Sequence, residues 1–186
     1  MEKITKYFKF FVLSGIILFT VGCTNSEETG NSAEKSEGEQ NVRAVLEKIF
    51  TGPNEEQEEI LQGSIEDLDK YAKRLSEYQE TFKPYTTEKF FEGFVNTNGA
   101  LKFLQMAHPN YELKVDEITL EERESNEGDY DFTVKVSYTN KESDESETMN
   151  VEGRAYTNED GKLTSIRYMN FEEVRDALEE RKVKQP

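Results

Sequence analysis

Few residues of this chain carry the chemistry that catalysis needs, and their positions argue against an active site. The chain holds one histidine, His108, the side chain best suited to proton transfer near neutral pH. His108 precedes Pro109 in a segment predicted to end a helix, so its geometry does not favour a general base facing a substrate. Asp131 could act as a carboxylate base, but the alternation around it places it opposite the apolar residues. We therefore assign no catalytic residue.

Tyrosines and large apolar residues provide a candidate pocket. Tyr130 and Tyr138 lie near the two ends of the most regular alternating segment and share a face with its apolar residues. Each phenol could donate a hydrogen bond to a ligand, or each ring could pack at the edge of the core with its hydroxyl reaching water. Core packing is likewise the alternative for the apolar candidates. The candidate pocket comprises Phe90, Phe94, Phe103, Met106, Tyr130 and Tyr138.

Two acidic segments could attract cations but lack the spacing of a known metal site. One covers residues 142–147, with four acids, and the other covers residues 126–131, with three. Neither has the Asp-x-Asn/Asp-x-Asn/Asp-Gly spacing with a distant glutamate that a calcium loop requires. Acidic turns are ordinarily solvated. We expect neither a metal nor a cofactor.

The lone cysteine, Cys23, follows the first apolar run of the chain. Three lysines precede the run from Phe10 to Val21, which is too short to span a bilayer comfortably and has the layout of an export signal. The end, Thr20-Val21-Gly22-Cys23, resembles the bacterial lipobox, with Thr20 where leucine is usual. An uncleaved anchor helix is the alternative. Both interpretations place the rest outside the membrane, and the first predicts a signal peptide over residues 1–22 and a lipid on Cys23.

Composition after this segment separates a tether from a domain. Residues 24–40 contain no apolar side chain larger than Ala33, so they cannot offset the entropy of ordering and are expected to form, with Cys23, a disordered tether. Residues 41–183 suffice for a single domain with its own core. The net charge of −16 disfavours nucleic acid, whose binding depends on clustered Lys and Arg.

Within that domain the hydrophobic period changes from helical to extended. Up to Ala107 the apolar residues recur every three or four positions, and the clearest helix opens at Ser64 with a stripe expected to pack on a sheet: Ile65, Leu68, Ala72, Leu75 and Phe82. From Tyr111 to Tyr168 they alternate, with a one-residue slip between Val115 and Ile118 that indicates a bulge. A last helix is predicted over Phe171–Arg181. This order predicts an α+β fold, with helices on a curved antiparallel sheet.

Several segments together resemble the nuclear transport factor 2-like (cystatin-like) superfamily, as found in bacterial lipoproteins. They are Tyr85-Thr86-Thr87-Glu88-Lys89-Phe90-Phe91, Leu101-Lys102-Phe103-Leu104 and the strands from Tyr111 to Tyr168. The resemblance implies a cone-like domain with helices capping a strongly bent sheet and a pocket at the open end. That superfamily includes isomerases, dehydratases and members that only bind, so the fold alone does not determine activity.

Two classes of function follow from these patterns. The preferred one is a lipid-anchored extracytoplasmic module without catalytic activity, which binds a small apolar ligand or another envelope protein. The alternative is a small extracytoplasmic enzyme of the isomerase or dehydratase type, using a carboxylate and a tyrosine. Both predict location at the cell membrane through a lipid on Cys23.

Overall fold

The computed structural model describes residues 36–63, 67–124 and 127–179. These residues belong to one compact unit. The signal segment, Cys23, most of the expected tether, and the helix start proposed at Ser64 lie outside the described residues. Within the described ranges, no helix combines the length and the apolar character needed to cross a bilayer.

The element order confirms an α+β fold with a curved four-stranded antiparallel sheet and a C-terminal helix. The strands pair in chain order as a meander, β1-β2-β3-β4. A short 3₁₀ helix, Lys83–Tyr85, precedes α4. The helices are α1 (Glu37–Ile49), α2 (Glu55–Gln62), α3 (Leu68–Glu80), α4 (Glu88–Asn96), α5 (Lys102–Ala107) and α6 (Phe171–Glu179). The strands are β1 (Tyr111–Glu122), β2 (Asp129–Asn140), β3 (Ser146–Thr157) and β4 (Leu163–Tyr168).

The first helix begins earlier than the composition indicated. The expected tether extended to residue 40, but α1 starts at Glu37, and the Ser36 side chain accepts a hydrogen bond from the Glu39 amide as its N-cap. Two glutamates in the first turn complement the positive end of the helix dipole. Polar residues 37–40 are therefore ordered by capping and by the buried face that follows them, so the boundary at residue 40 was wrong.

Helix α3 does not pack on the sheet through the stripe that its sequence indicated. Leu68 is 64% exposed, and Ala72 is also exposed. Leu75 is partly buried against the core. Tyr78 and Gln79 are the buried residues of the helix, and Phe82, just beyond its end, is fully buried. The helix reaches the core with its C-terminal end, because periodicity shows which residues share a face but not whether a partner covers that face.

The sheet carries the core on one face, where α1, α5 and α6 contact it. Alternate residues of β2 are buried, and all five belong to the predicted set: Tyr130, Phe132, Val134, Val136 and Tyr138. The predicted bulge is confirmed, since the β1–β2 register shifts between Val115 and Glu117. The opposite face is polar, with Asp131 accepting a hydrogen bond from Arg154 at 2.7 Å.

A glycine in β3 permits close packing of aromatic rings against the sheet. Gly153 pairs with Phe132 on one side and with Tyr168 on the other. The Phe132 and Tyr168 rings lie edge to face with centroids 6.1 Å apart. A Cβ at Gly153 would lie 2.4 Å from Phe132 Cζ and 2.3 Å from the Arg167 carbonyl oxygen. Position 153 therefore has no room for a side chain, and Tyr168 is held where β4 meets the helices.

Candidate functional site

A groove of about 670 Å³ lies between α4 and β4 and extends to the start of α5. We call it the α4–β4 groove. Its main lining residues are Lys89, Phe90, Phe94, Lys102, Ile166 and Tyr168, with threonines and glycines completing the walls. Its volume falls within the range of sites that hold small organic ligands.

Thr87 fixes the start of α4 against β4. Its amide donates to the Leu163 carbonyl at 2.9 Å, and its Oγ1 donates to the same carbonyl at 3.2 Å. The same Oγ1 accepts from the Phe90 amide at 3.4 Å, which makes Thr87 the N-cap of α4. One side chain therefore both begins the helix and ties it to the strand, which places Phe90 in the groove.

The face of α4 that lines the groove follows from helical spacing. Lys89, Phe90, Gly93 and Phe94 all lie on this face, as three- and four-residue separations require. The Phe90 and Phe94 rings stack with centroids 5.4 Å apart. Phe94 also contacts the buried Phe82 ring at 5.3 Å. The aromatic floor is therefore anchored in the core and does not depend on a ligand for its position.

Tyr168 forms the β4 side of the floor. Its ring lies 4.9 Å from the buried Phe103 ring, measured between centroids. No described residue hydrogen-bonds its hydroxyl. The Tyr168 side chain is partly buried against the core and lines the groove. Burial of the Tyr168 phenol raises its pKa well above the usual range, because the charged form would lose its hydration. Tyr168 thus remains a neutral hydrogen-bond donor at physiological pH.

The charge of the α4–β4 groove is opposite to that of the whole chain. Two lysines line the groove, and no acidic residue does, although the chain has 39 acidic and 23 basic residues. Lys89 forms no ion pair with a described residue. Lys102 lies over the Phe171 ring, with Nζ 4.0 Å from the ring centroid, and also has no described carboxylate partner. Both cations therefore remain available to an anion.

A second cavity, of about 690 Å³, lies where the start of α1 meets the ends of β2 and β3. Five acids and no basic residue line it: Glu37, Glu122, Glu127, Glu159 and Asp160. Tyr130 shares a hydrogen bond of 2.8 Å with the Ser36 hydroxyl there. No group of three or more metal-ligating side chains occurs within the described ranges. This cavity has the charge pattern of a solvated acidic surface.

The six residues of the candidate pocket do not lie together. Phe90 and Phe94 line the α4–β4 groove, and Tyr130 lines the acidic cavity. Phe103 is 1% exposed and lies in the core, where Tyr138 is also buried. Met106 is partly buried against that core and lines neither cavity. The sequence reasoning missed Lys89, Lys102, Ile166 and Tyr168, because their proximity depends on a contact between segments far apart in the chain.

The groups that an enzyme would need are arranged as structural contacts. His108 Nε2 lies 3.2 Å from Glu58 Oε2, and Lys141 pairs with the other oxygen of Glu58. Tyr138 donates a 2.8 Å hydrogen bond to Glu147. That tyrosine–carboxylate pair lines neither of the two cavities described above.

Comparison with known proteins adds little to this geometry. No family model and no curated protein matches the chain. The NMR solution structure of TraH, described as a candidate transfer protein from the Gram-positive conjugative plasmid pIP501, is similar with a TM-score of 0.42 and 12% identity. The match covers 79% of this chain and 97% of that one. A likeness at this level carries no argument about family or function.

Proposed function

We propose that this protein is a lipid-anchored extracytoplasmic binding module that holds a small ligand with an apolar body in the α4–β4 groove. The observation that carries the proposal is an aromatic floor, formed by Phe90, Phe94 and Tyr168, that lines the groove and is fixed by core contacts. Preformed grooves of this kind lose little conformational entropy when a ligand enters.

The location rests on the first 23 residues of the sequence. A basic start, a short apolar run and the Thr20-Val21-Gly22-Cys23 end support export followed by lipid attachment. Cells fed a fatty-acid analogue should label the wild-type protein and leave Cys23→Ala unlabelled. Equal labelling of the two proteins would remove the lipid anchor from the proposal.

The family remains part of the same proposal. A curved antiparallel meander with helices on its apolar face is compatible with the nuclear transport factor 2-like plan that the sequence resembles. Binding without catalysis is the better proposal, because the described histidine and tyrosine–carboxylate contacts lie away from the groove.

Gly93 offers a direct test of the groove. It lines the groove from within α4, and a Cβ built there meets no heavy atom within 4 Å. Gly93→Trp should therefore fill the groove without disturbing the core. Ala72→Trp, at an exposed position of α3 outside the groove, is the matched control.

The assay uses N-phenyl-1-naphthylamine, a neutral dye that fluoresces in apolar sites. It is titrated into full-length protein carrying Cys23→Ser, so that no lipid is attached. Gly93→Trp should weaken binding about tenfold or more, since the blocked groove would lose an apolar contact of roughly 60 Å² or more at 25 cal/mol per Å². Ala72→Trp should change it by less than about twofold. Equal binding to Gly93→Trp and its parent would refute the groove as the site.

A further inference from the structure

We infer that the α4–β4 groove selects a small anionic amphiphile, with its apolar body on the aromatic floor and its acid group at Lys89 and Lys102. This inference depends on the proposed function, since it names the chemical class of the ligand for the same groove. It follows from the distribution of charge around that floor.

The surplus of positive charge is local. Glu88 and Glu92 are the nearest acids to Lys89 along α4, but neither lines the groove. Helical geometry explains this, because residues one before and three after Lys89 lie to one side of it, whereas Phe90, Gly93 and Phe94 lie to the other. The lining residues that an anion would meet in the groove therefore include two lysines and no acidic residue.

The polar atoms of the groove also favour an acceptor. Thr87 Oγ1 donates to Leu163, Thr97 Oγ1 to Gly93, and Thr164 Oγ1 to Tyr156. These hydroxyl protons are already used within the protein. The Tyr168 hydroxyl and the two lysines are the donors without an acceptor among the described residues. Three unused donors match the oxygens of a carboxylate, sulfonate or phosphate group.

The overall negative charge does not prevent this selection. Charges on the exposed surface are screened beyond about 8 Å at physiological ionic strength. The electrostatic energy of a small anion in the groove therefore depends mainly on the lysines beside it. A large anionic surface such as a lipid bilayer would meet many of the other acids at once, so we assign the groove to a monomeric ligand.

Two dyes with the same aromatic skeleton provide the test. 8-Anilinonaphthalene-1-sulfonate carries an acid group, and N-phenyl-1-naphthylamine does not. Both are titrated into the full-length chain with Cys23→Ser and into the same chain with Lys89→Gln and Lys102→Gln added. A third protein carries Lys114→Gln, which replaces an exposed lysine of β1 and removes one positive charge where the double variant removes two. Thermal unfolding of each protein checks that the fold is retained.

The double lysine variant should bind the sulfonate about tenfold more weakly, since two surface-exposed cations contribute roughly fivefold or less each near the anion. The neutral dye should bind the same variant within about twofold of the parent, and Lys114→Gln should change neither dye by more than that. Raising the salt concentration from about 20 mM to about 0.5 M should weaken binding of the sulfonate dye and leave binding of the neutral dye unchanged.

The outcomes separate the inference from the proposed function. Suppose that Gly93→Trp abolishes binding of both dyes but the double lysine variant binds both dyes as tightly as its parent. The groove then binds ligands, and the inference that it selects anions is wrong. If Lys114→Gln reduces the free energy of sulfonate binding by half as much as the double variant or more, the effect is one of net charge, and the inference also fails. If Gly93→Trp leaves the affinity for both dyes unchanged, the groove is not the binding site, and both the proposed function and the inference fail.

Discussion

Replacing Gly153 with alanine should destabilise this protein because one methyl group has no space at the centre of the sheet. Its Cβ would lie 2.3 Å from the Arg167 carbonyl oxygen and 2.4 Å from Phe132 Cζ. The first contact is with backbone of the paired strand β4, and the second is with a ring that is 3% exposed. Neither group can move without disturbing hydrogen bonds or core packing.

The magnitude follows from the two opposing effects of the added methyl group. Overpacking a well-filled core costs about 1–3 kcal/mol, whereas replacing glycine reduces the entropy of the unfolded chain and gains about 0.4–1 kcal/mol. Because one of the clashing groups is backbone, we expect the upper part of the first range to apply and a net loss of about 2 kcal/mol. With a urea m-value of about 2 kcal/mol per M, the midpoint should fall by about 1 M.

Gly93→Ala is the matched control, since it adds the same methyl group where no heavy atom lies within 4 Å. Replacing glycine inside a helix gains about 0.8–1 kcal/mol, which should raise the urea midpoint by about 0.4 M. Unfolding of both variants is followed by far-ultraviolet circular dichroism, because the chain has no tryptophan. A Gly153→Ala protein within about 0.5 kcal/mol of its parent would show that the sheet does not depend on this close approach.

Two further predictions concern the contacts of α2. Burial opposes ionisation of Glu58, but the hydrogen bond and charge of Lys141, with the charge of His108, hold the Glu58 pKa below its ordinary value of 4.5. Glu58 therefore stabilises the fold above pH 4.5 and loses this effect as pH falls through its lowered pKa. Glu58→Gln should reduce the free energy of unfolding at pH 7 by less than about 1 kcal/mol. A difference in urea midpoint between the variant and its parent that persists at pH 3 would contradict this. Gln57 completes the capping box with Asn54 and donates to the buried Tyr78 hydroxyl at 3.1 Å. Gln57→Ala should therefore reduce the free energy of unfolding by about 1–2 kcal/mol in the same assay. Glu55→Ala, a change at an exposed position of the first turn, should reduce it by less than half of that.

The sheet and its bulge could be predicted because both leave a local record in the sequence. Apolar residues at every second position define each strand, and one extra residue between Val115 and Ile118 marks the slip that the register confirms. The start of α4 also leaves a local record, since the Thr87 side chain accepts a hydrogen bond from the amide three residues later. These features depend on residues within a few positions of one another.

The packing of α3 and the composition of the groove could not be predicted in this way. Leu68 belongs to an apolar stripe, yet it is 64% exposed, because no element among the described residues covers that part of the helix. The groove forms where Thr87 meets Leu163, residues separated by 76 positions. Lys89 and Lys102 resemble ordinary solvent-exposed helical lysines until that contact places them beside Tyr168.

Net charge and local charge lead to different conclusions about the partners of this protein. A net charge of −16 opposes any partner whose binding sums over many negative charges, as nucleic acids and anionic membranes do. A small anion is different, because screening limits the field that it experiences to the nearest groups. In the α4–β4 groove those groups are two lysines and a neutral phenol. An acidic composition can therefore exclude extended anions while one groove of the same protein selects a single anionic ligand.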